Sequence, residues 1–274
     1  MILFLSFFLL LGAVAGLLAG LLGIGGGIIL VPGLYFIFSS MQDEIGINPS
    51  YLMHLSVGTS LAIIVPTGMS SAFAHYKKGG VDFNLVRLIG SGVVIGVIMA
   101  TFMAKGLSGK SMQMIFATVI CLLAFIMIAG RSLFQYKEGY SINNIGAFVA
   151  GTIIGSVSTL IGIGGATLSV PYMAMNGVPM RKAIGSASAI GLVIAIPAAI
   201  GFMIIGWGIK ALPPYSLGYV NLLAWICVIP ASVIAAPFGA KLTHKISVER
   251  MKLVFAIFMI LVALNMWRKI LMGG

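Results

Sequence analysis

Two glycine clusters, each set inside a long apolar stretch, limit what this chain can fold into. Gly23-Ile24-Gly25-Gly26-Gly27 leads into Val31-Pro32. In a chain of 274 residues, Gly162-Ile163-Gly164-Gly165-Ala166 leads into Val170-Pro171 at an offset of 139. Between Gly12–Pro32 and Gly151–Pro171, nine of 21 positions are identical. A glycine run leaves backbone N–H and C=O groups that lipid cannot hydrogen-bond. Such a break survives at membrane depth only where it packs against protein or lines a polar cavity. Paired breaks at matching positions of two halves point to a carrier's binding site between repeats.

With 60% hydrophobic and 8% charged residues and a mean hydropathy of +1.16, the chain leaves no room for a soluble domain. The net charge of +11 comes from basic residues scattered through short loops. That distribution is the orientation signal of a membrane protein rather than a nucleic-acid footprint. Cys121 and Cys227 sit alone in separate apolar segments, without a C-x-x-C spacing. Neither redox chemistry nor a thiolate metal site is indicated, and no cofactor is expected. The first 20 residues imitate a signal peptide. No basic residue precedes the apolar stretch, and Asn144–Ile161 is its internal counterpart, so it is read as a retained transmembrane helix.

Apolar segments fall at about 2–22, 27–40, 51–76, 84–104 and 112–130, then at about 144–161, 166–176, 182–206, 216–238 and 250–270. Ser108–Ala117 matches Ser247–Ala256 at the same offset, and Val57-Gly58-Thr59 resembles Ile184-Gly185-Ser186 at a shifted one. The expected fold is an all-α polytopic membrane protein, one transmembrane domain over 1–274. It would hold two inverted repeats, 1–135 and 140–274, of about five segments each: four full spans and one short broken or half helix. Ile28–Ser40 would reach only about 20 Å against a hydrocarbon core of about 30 Å. If the short segments re-enter, the basic residues divide eight and eight. If they cross, Lys77, Lys78, Arg87, Arg131, Lys137, Arg181, Lys182, Lys241, Lys245, Arg250 and Lys252 share one face, leaving five on the other. Eleven against five obeys the positive-inside rule, favouring five crossings per half with both termini outside.

All five acidic residues, Asp43, Glu44, Asp82, Glu138 and Glu249, fall in expected loops. Carboxylates within spans are the usual relays and ligands of cation pumps, so their absence argues against a cation carrier. What remains inside is neutral and donor-rich: glycine backbone and the hydroxyls of Thr59, Ser60, Thr67, Ser70, Ser71, Ser156, Ser158, Thr159, Thr167, Ser169, Ser186 and Ser188. Backbone N–H groups at a helix N-terminus bind anions without a formal charge. Gly25, Gly26 and Gly27, with Gly164 and Gly165, would open two short helices toward one midplane site, with Thr59, Ser60, Ser186 and Ser188 adding hydroxyls. Gly12, Gly16 and Gly20, at four-residue spacing, read instead as close helix packing. Single hydroxyls in spans commonly bond their own preceding turn. His54 and His75 flank the span carrying Gly58-Thr59-Ser60, where they could link protons or touch the anion; His244 lies in a basic loop. Pro66 and Pro197 are candidate hinge or packing kinks.

At these residues the chain resembles the TauE/SafE family of membrane transporters, also called the sulfite-exporter or TSUP family. The likeness rests on Gly16–Gly27 with Pro32, Val57-Gly58-Thr59-Ser60 with Pro66, and His75-Tyr76 followed by Lys77-Lys78-Gly79 and Val81-Asp82. The second-half copies are Gly162–Gly165 with Val170-Pro171, and Ala183-Ile184-Gly185-Ser186. The resemblance implies transport, often export, of small sulfur-containing anions such as sulfite, sulfoacetate or other organosulfonates. The expected setting is a bacterial cytoplasmic (inner) membrane, with a small anionic substrate and the lipid bilayer as partners, no nucleic acid, and a homodimer as one available assembly. A proton- or sodium-coupled importer is the alternative direction. A rival of another class is an intramembrane hydrolase built on Ser70 or Ser71 with His75, which lacks an evident third group or oxyanion motif.

Overall fold

The computed structural model describes residues 2–22, 26–129, 142–242 and 248–272. It is built almost entirely of helices: α1 (Ile2–Leu22), α2 (Gly27–Ile45), α3 (Leu52–Lys77), α4 (Phe83–Gly106), α5 (Gly109–Ala129), α6 (Asn144–Ile161), α7 (Ala166–Met175), α8 (Met180–Ile205), α9 (Leu222–Leu242) and α10 (Val248–Leu271). Six of the described helices are long and apolar enough to cross a bilayer.

Local chemistry sets the ends of these helices. Gly162, at φ 66°, takes the left-handed cap of α6, as Gly46 does for α2. Without a Cβ, glycine adopts that conformation at no steric cost. Asp82 caps α4, its carboxylate accepting from the Asn84 and Leu85 amides at 3.1 and 3.4 Å. Asn221 caps α9 in the same way, accepting from the Ala224 amide at 2.9 Å.

Two sequence expectations are corrected. The segment expected to stop near Ser40 runs to Ile45, so α2 spans about 28 Å at 1.5 Å per residue, with Asp43 and Glu44 in its last turn rather than in a loop. Its partner in the second half, α7, has 10 residues. The segment expected to begin at 216 begins at Leu222. Before it, β1 (Ser216–Leu217) and β2 (Val220–Asn221) form a hairpin whose turn opens with Gly218 at φ 54°. That geometry suits a two-residue turn with glycine first. Pro66 and Pro197 both lie within continuous helices.

Glycine decides how the helices pack. A β-carbon on Gly12 would overlap the Val228 carbonyl, and one on Gly16 the Ser232 carbonyl, so α1 lies backbone to backbone along α9. The equivalent glycines repeat the contact at the same offset of 139: Gly151 meets the Ile89 carbonyl and Gly155 the Val93 carbonyl, joining α6 to α4. This close approach is what small residues provide between helices in lipid, as the spacing of Gly12 and Gly16 indicates.

The same contacts give directions. α1 and α9 run parallel, as do α6 and α4. α3 and α8 run antiparallel, with Gly58 beside Phe202, Gly68 beside Leu192 and Ser71 beside Ser188. α2 turns back along α1, pairing Gly26 with Ala15, Gly33 with Leu11 and Phe38 with Phe8. α7 turns back along α8 from Gly191 and Ile194. α2 therefore reverses the direction of α1, and α3 and α8, the third helices of the two halves, run opposite to one another.

Two clusters of contacts define the faces. On one, Arg181 donates to the Lys78 carbonyl and Lys182 lies 3.7 Å from Asp82. On the other, where α1 begins and α10 ends, the Asn48 amide donates to Ala211 O at 3.4 Å and Lys269 to Ser39 Oγ at 3.4 Å. We call these the basic face and the terminal face.

Gly155→Val should lower stability by about 3 kcal/mol or more, because the overlapped Val93 carbonyl belongs to a helix that cannot yield. Gly146→Val, on the same helix with only an ordinary contact at 3.9 Å, should leave stability nearly unchanged. Thermal unfolding in detergent checks both; equal losses would contradict the α4–α6 packing described.

Candidate functional site

The two glycine breaks touch. A β-carbon on Gly27 would lie 2.8 Å from Ile163 Cα and 3.0 Å from Gly162 O. The middle of α3 runs alongside: Ser60 Oγ donates to Gly162 O at 2.9 Å, and the Ile64 side chain faces both Gly27 and Gly164. Gly162, Ile163, Gly164, Gly165 and Ala166 are all buried. In this conformation the breaks are packed against each other and against α3.

Each break opens a helix. The Ile29 and Leu30 amides return to Gly26 O, and those of Leu168 and Ser169 to Gly165 O. The amides of Gly164, Gly165, Ala166 and Thr167 find no hydrogen-bond acceptor among the described residues. They are the donors that the start of any helix leaves over, here at buried depth. In the last turn of α6 the hydroxyls of Ser158 and Thr159, and in the first turn of α7 those of Thr167 and Ser169, are also buried without a partner among the described residues. Buried polar groups are normally bonded, so a cluster of exceptions calls for a ligand or water. Amide donors, hydroxyls and the positive end of α7 add up to a neutral environment that stabilises negative charge. Among the described residues, no group of three or more His, Cys, Asp or Glu could hold a metal ion.

The structure brings Gly26, Gly27, Gly164 and Gly165 to this junction, while Gly25 lies outside the described residues. The hydroxyls assigned to substrate are occupied by protein. Thr59 Oγ1 accepts from the Asn221 amide at 3.0 Å, and Ser60 holds the Gly162 carbonyl. Ser186 Oγ accepts from the Asp82 amide at 2.9 Å, and Ser188 Oγ donates to Ile184 O at 3.0 Å and lies 3.3 Å from Ser71 Oγ. His75 sits at the basic-face end of α3, about three turns beyond Ile64. His54 is buried at the opposite end, its Nε2 3.0 Å from Ala104 O and its ring stacked on Tyr219 at 4.9 Å. The described contact of the Ser71 hydroxyl is with Ser188, not with His75. His244 lies outside the described residues.

Ser158, Thr159, Thr167 and Ser169, named in the sequence only among the many span hydroxyls, are candidates that the sequence did not assign to the site. Their signal was nearness to Gly162–Ala166, which could not separate them from hydroxyls bonded within a helix. Thr67 to Ile63 O and Thr101 to Val97 O are examples of that ordinary bonding.

Residues 8–266 match the family model described as Sulfite exporter TauE/SafE. A probable membrane transporter protein of Haemophilus influenzae is 35% identical over 261 residues, covering 95% of this chain and 97% of that one. The probable membrane transporter protein YunE of Bacillus subtilis is 26% identical over 92% of this chain and 93% of its own. A probable membrane transporter protein of Methanocaldococcus jannaschii is 26% identical over 93% and 92%. No solved structure matches the chain. With its multi-pass helical fold, the chain thus belongs to the sulfite exporter TauE/SafE family of membrane transporters.

Proposed function

We propose that the protein exports small sulfur-containing anions, such as sulfite, sulfoacetate or other organosulfonates, across a bacterial cytoplasmic membrane. The anion binds where the two breaks meet, between halves that act as inverted repeats. The observation that carries this reading is the set of orphaned donors on either side of the second break: four amides and the Thr167 and Ser169 hydroxyls at the start of α7, and the Ser158 and Thr159 hydroxyls at the end of α6, with no partner among the described residues. The antiparallel pairing of α3 with α8, which hold equivalent places in the two halves, supports the inverted relation. With the terminal face outside, the basic face is the cytoplasmic one, in keeping with the positive-inside rule.

Direction follows from voltage. A cell interior negative by about 100 mV favours the exit of each negative charge by about 2.3 kcal/mol, roughly fifty-fold in concentration. Export needs no coupling ion. That accords with carboxylates placed at helix ends rather than mid-span, as Asp82 and Glu44 are.

Gly164 offers a clean test, because a β-carbon there would make only an ordinary contact, 3.6 Å from Ile64. Gly164→Val should fold, unfold at an unchanged temperature and lose at least ten-fold in sulfite counterflow in proteoliposomes. Unchanged flux of sulfite, sulfoacetate and thiosulfate alike would remove this site.

Ser169→Ala should raise the concentration for half-maximal flux about ten-fold, the worth of one hydrogen bond to a charged ligand. An unchanged value with unchanged maximal flux would take Ser169 out of the site.

A further inference from the structure

We infer that Gly58-Thr59 and Gly185-Ser186 are matched latches that close the two ends of the transport path, one at each face. This inference rests on the transporter reading but not on the identity or site of the anion.

The latches correspond atom for atom. On the terminal face, the bare Cα of Gly58 lets the Tyr219 carbonyl approach where a β-carbon would stand, and Thr59 Oγ1 accepts from the Asn221 amide at 3.0 Å. On the basic face, Gly185 admits the Gly80 carbonyl in the same manner, and Ser186 Oγ accepts from the Asp82 amide at 2.9 Å. Gly80 and Tyr219 stand 139 residues apart, as do Asp82 and Asn221. Both gripped residues, Asp82 and Asn221, are also the side-chain caps of the helix that follows. A latch therefore holds a rigid helix start, not a loose loop.

What each latch fastens is the reason to assign it to gating. Thr59 holds the start of α9, which is locked along its backbone to α1, the helix that leads into the first break. Ser186 holds the start of α4, which is locked to α6, the helix that leads into the second. Releasing one latch frees a two-helix unit with its break at one end of the antiparallel α3–α8 pair. The other end stays fastened, as alternating access requires.

The secondary contacts differ between faces. At the terminal latch the Tyr219 ring stacks on His54 and meets Phe202 and Tyr51 at 6.4 and 5.9 Å. At the basic latch the support is polar and exposed, from Arg181 to the Lys78 carbonyl, Lys182 to Asp82 and Ser71 to Ser188, with an exposed ring contact of Tyr76 on Phe83 at 5.8 Å. Partly exposed ion pairs hold less firmly than buried aromatic contacts, so the basic latch is the one that opens more readily. Thr59 and Ser186 act here as positioning residues and need not touch the anion.

Sided cysteine labelling tests this without any substrate. In a background with Cys121→Ala and Cys227→Ala, a single reporter is placed one turn beyond each latch, at Ala62→Cys or Ile190→Cys, both buried in the wild type. Vesicles of defined orientation are treated with a membrane-impermeant maleimide. Thr59→Val should raise labelling of position 62 from the terminal face at least ten-fold and leave position 190 unchanged. Ser186→Ala should do the reverse from the basic face. The conservative Thr59→Ser and Ser186→Thr, which keep the acceptor, should label at the wild-type rate. If Thr59→Val does not fold, Thr59→Ala reports the same loss. Labelling that stays unchanged at a variant's own face, or rises at both faces, overturns the latches while leaving the anion site to be judged by flux.

Discussion

The backbone of Gly27 lies against Gly162 and Ile163, and the rest of the molecule is arranged so that this contact can exist in lipid. Two interrupted helices cannot each face hydrocarbon, because their freed amides and carbonyls would lack partners. Here they are turned inward, one against the other, with α3 as a third wall. Ser60 satisfies one carbonyl that the break releases. The amides at the start of α7 and the Ser158, Thr159, Thr167 and Ser169 hydroxyls are left over among the described residues, and the proposed function rests on that surplus.

Three levels of the structure depend on glycine, for three different reasons. Gly162 is needed for its left-handed cap, which turns the chain from α6 into α7. Gly12, Gly16, Gly151 and Gly155 are needed for their missing side chains, which bring α1 onto α9 and α6 onto α4. Gly58 and Gly185 admit a carbonyl from a connecting loop at each face. The inferred latches build on this difference: α1–α9 and α4–α6 are joined through their backbones, and each latch joins such a pair to the α3–α8 pair.

Much of this was legible before any coordinates. Hydropathy found a segment for each of the ten α-helices among the described residues, because a span must be apolar over its length. Gly12 and Gly16 of α1 declared themselves as packing by their four-residue spacing, whereas Gly151 and Gly155 of α6 were seen only as their equivalents in the repeat. The hairpin before α9 was missed because Ser216–Asn221 continues an apolar run, although Pro213, Pro214 and Gly218 were available as turn signals. The reach of α2 to Ile45 was hidden by Gln42, Asp43 and Glu44, whose polarity suits a helix end at the membrane surface as well as a loop. Thr59, Ser60 and Ser186 were read as substrate hydroxyls because spans without carboxylates leave neutral donors as the groups able to meet an anion; the structure adds protein partners to them and leaves that reading as a proposal. Their actual partners lie 102 to 162 residues away in sequence, and no periodicity reports a contact of that range. The offset of 139 did hold one usable sign, since Asp82 and Asn221 are both helix-capping residues at equivalent places.

The central claim, that surplus amides at the second break receive the anion, is tested most directly by the amide resonances themselves. With glycine selectively labelled with nitrogen-15 in lipid nanodiscs, sulfite would be titrated against chloride at constant ionic strength. The account predicts saturable, sulfite-specific shifts at Gly164 and Gly165, with Gly106 and Gly208, far from the break in sequence, unmoved. Shifts confined to Gly79 and Gly80 beside the basic loop, with Gly164 and Gly165 silent, would contradict it.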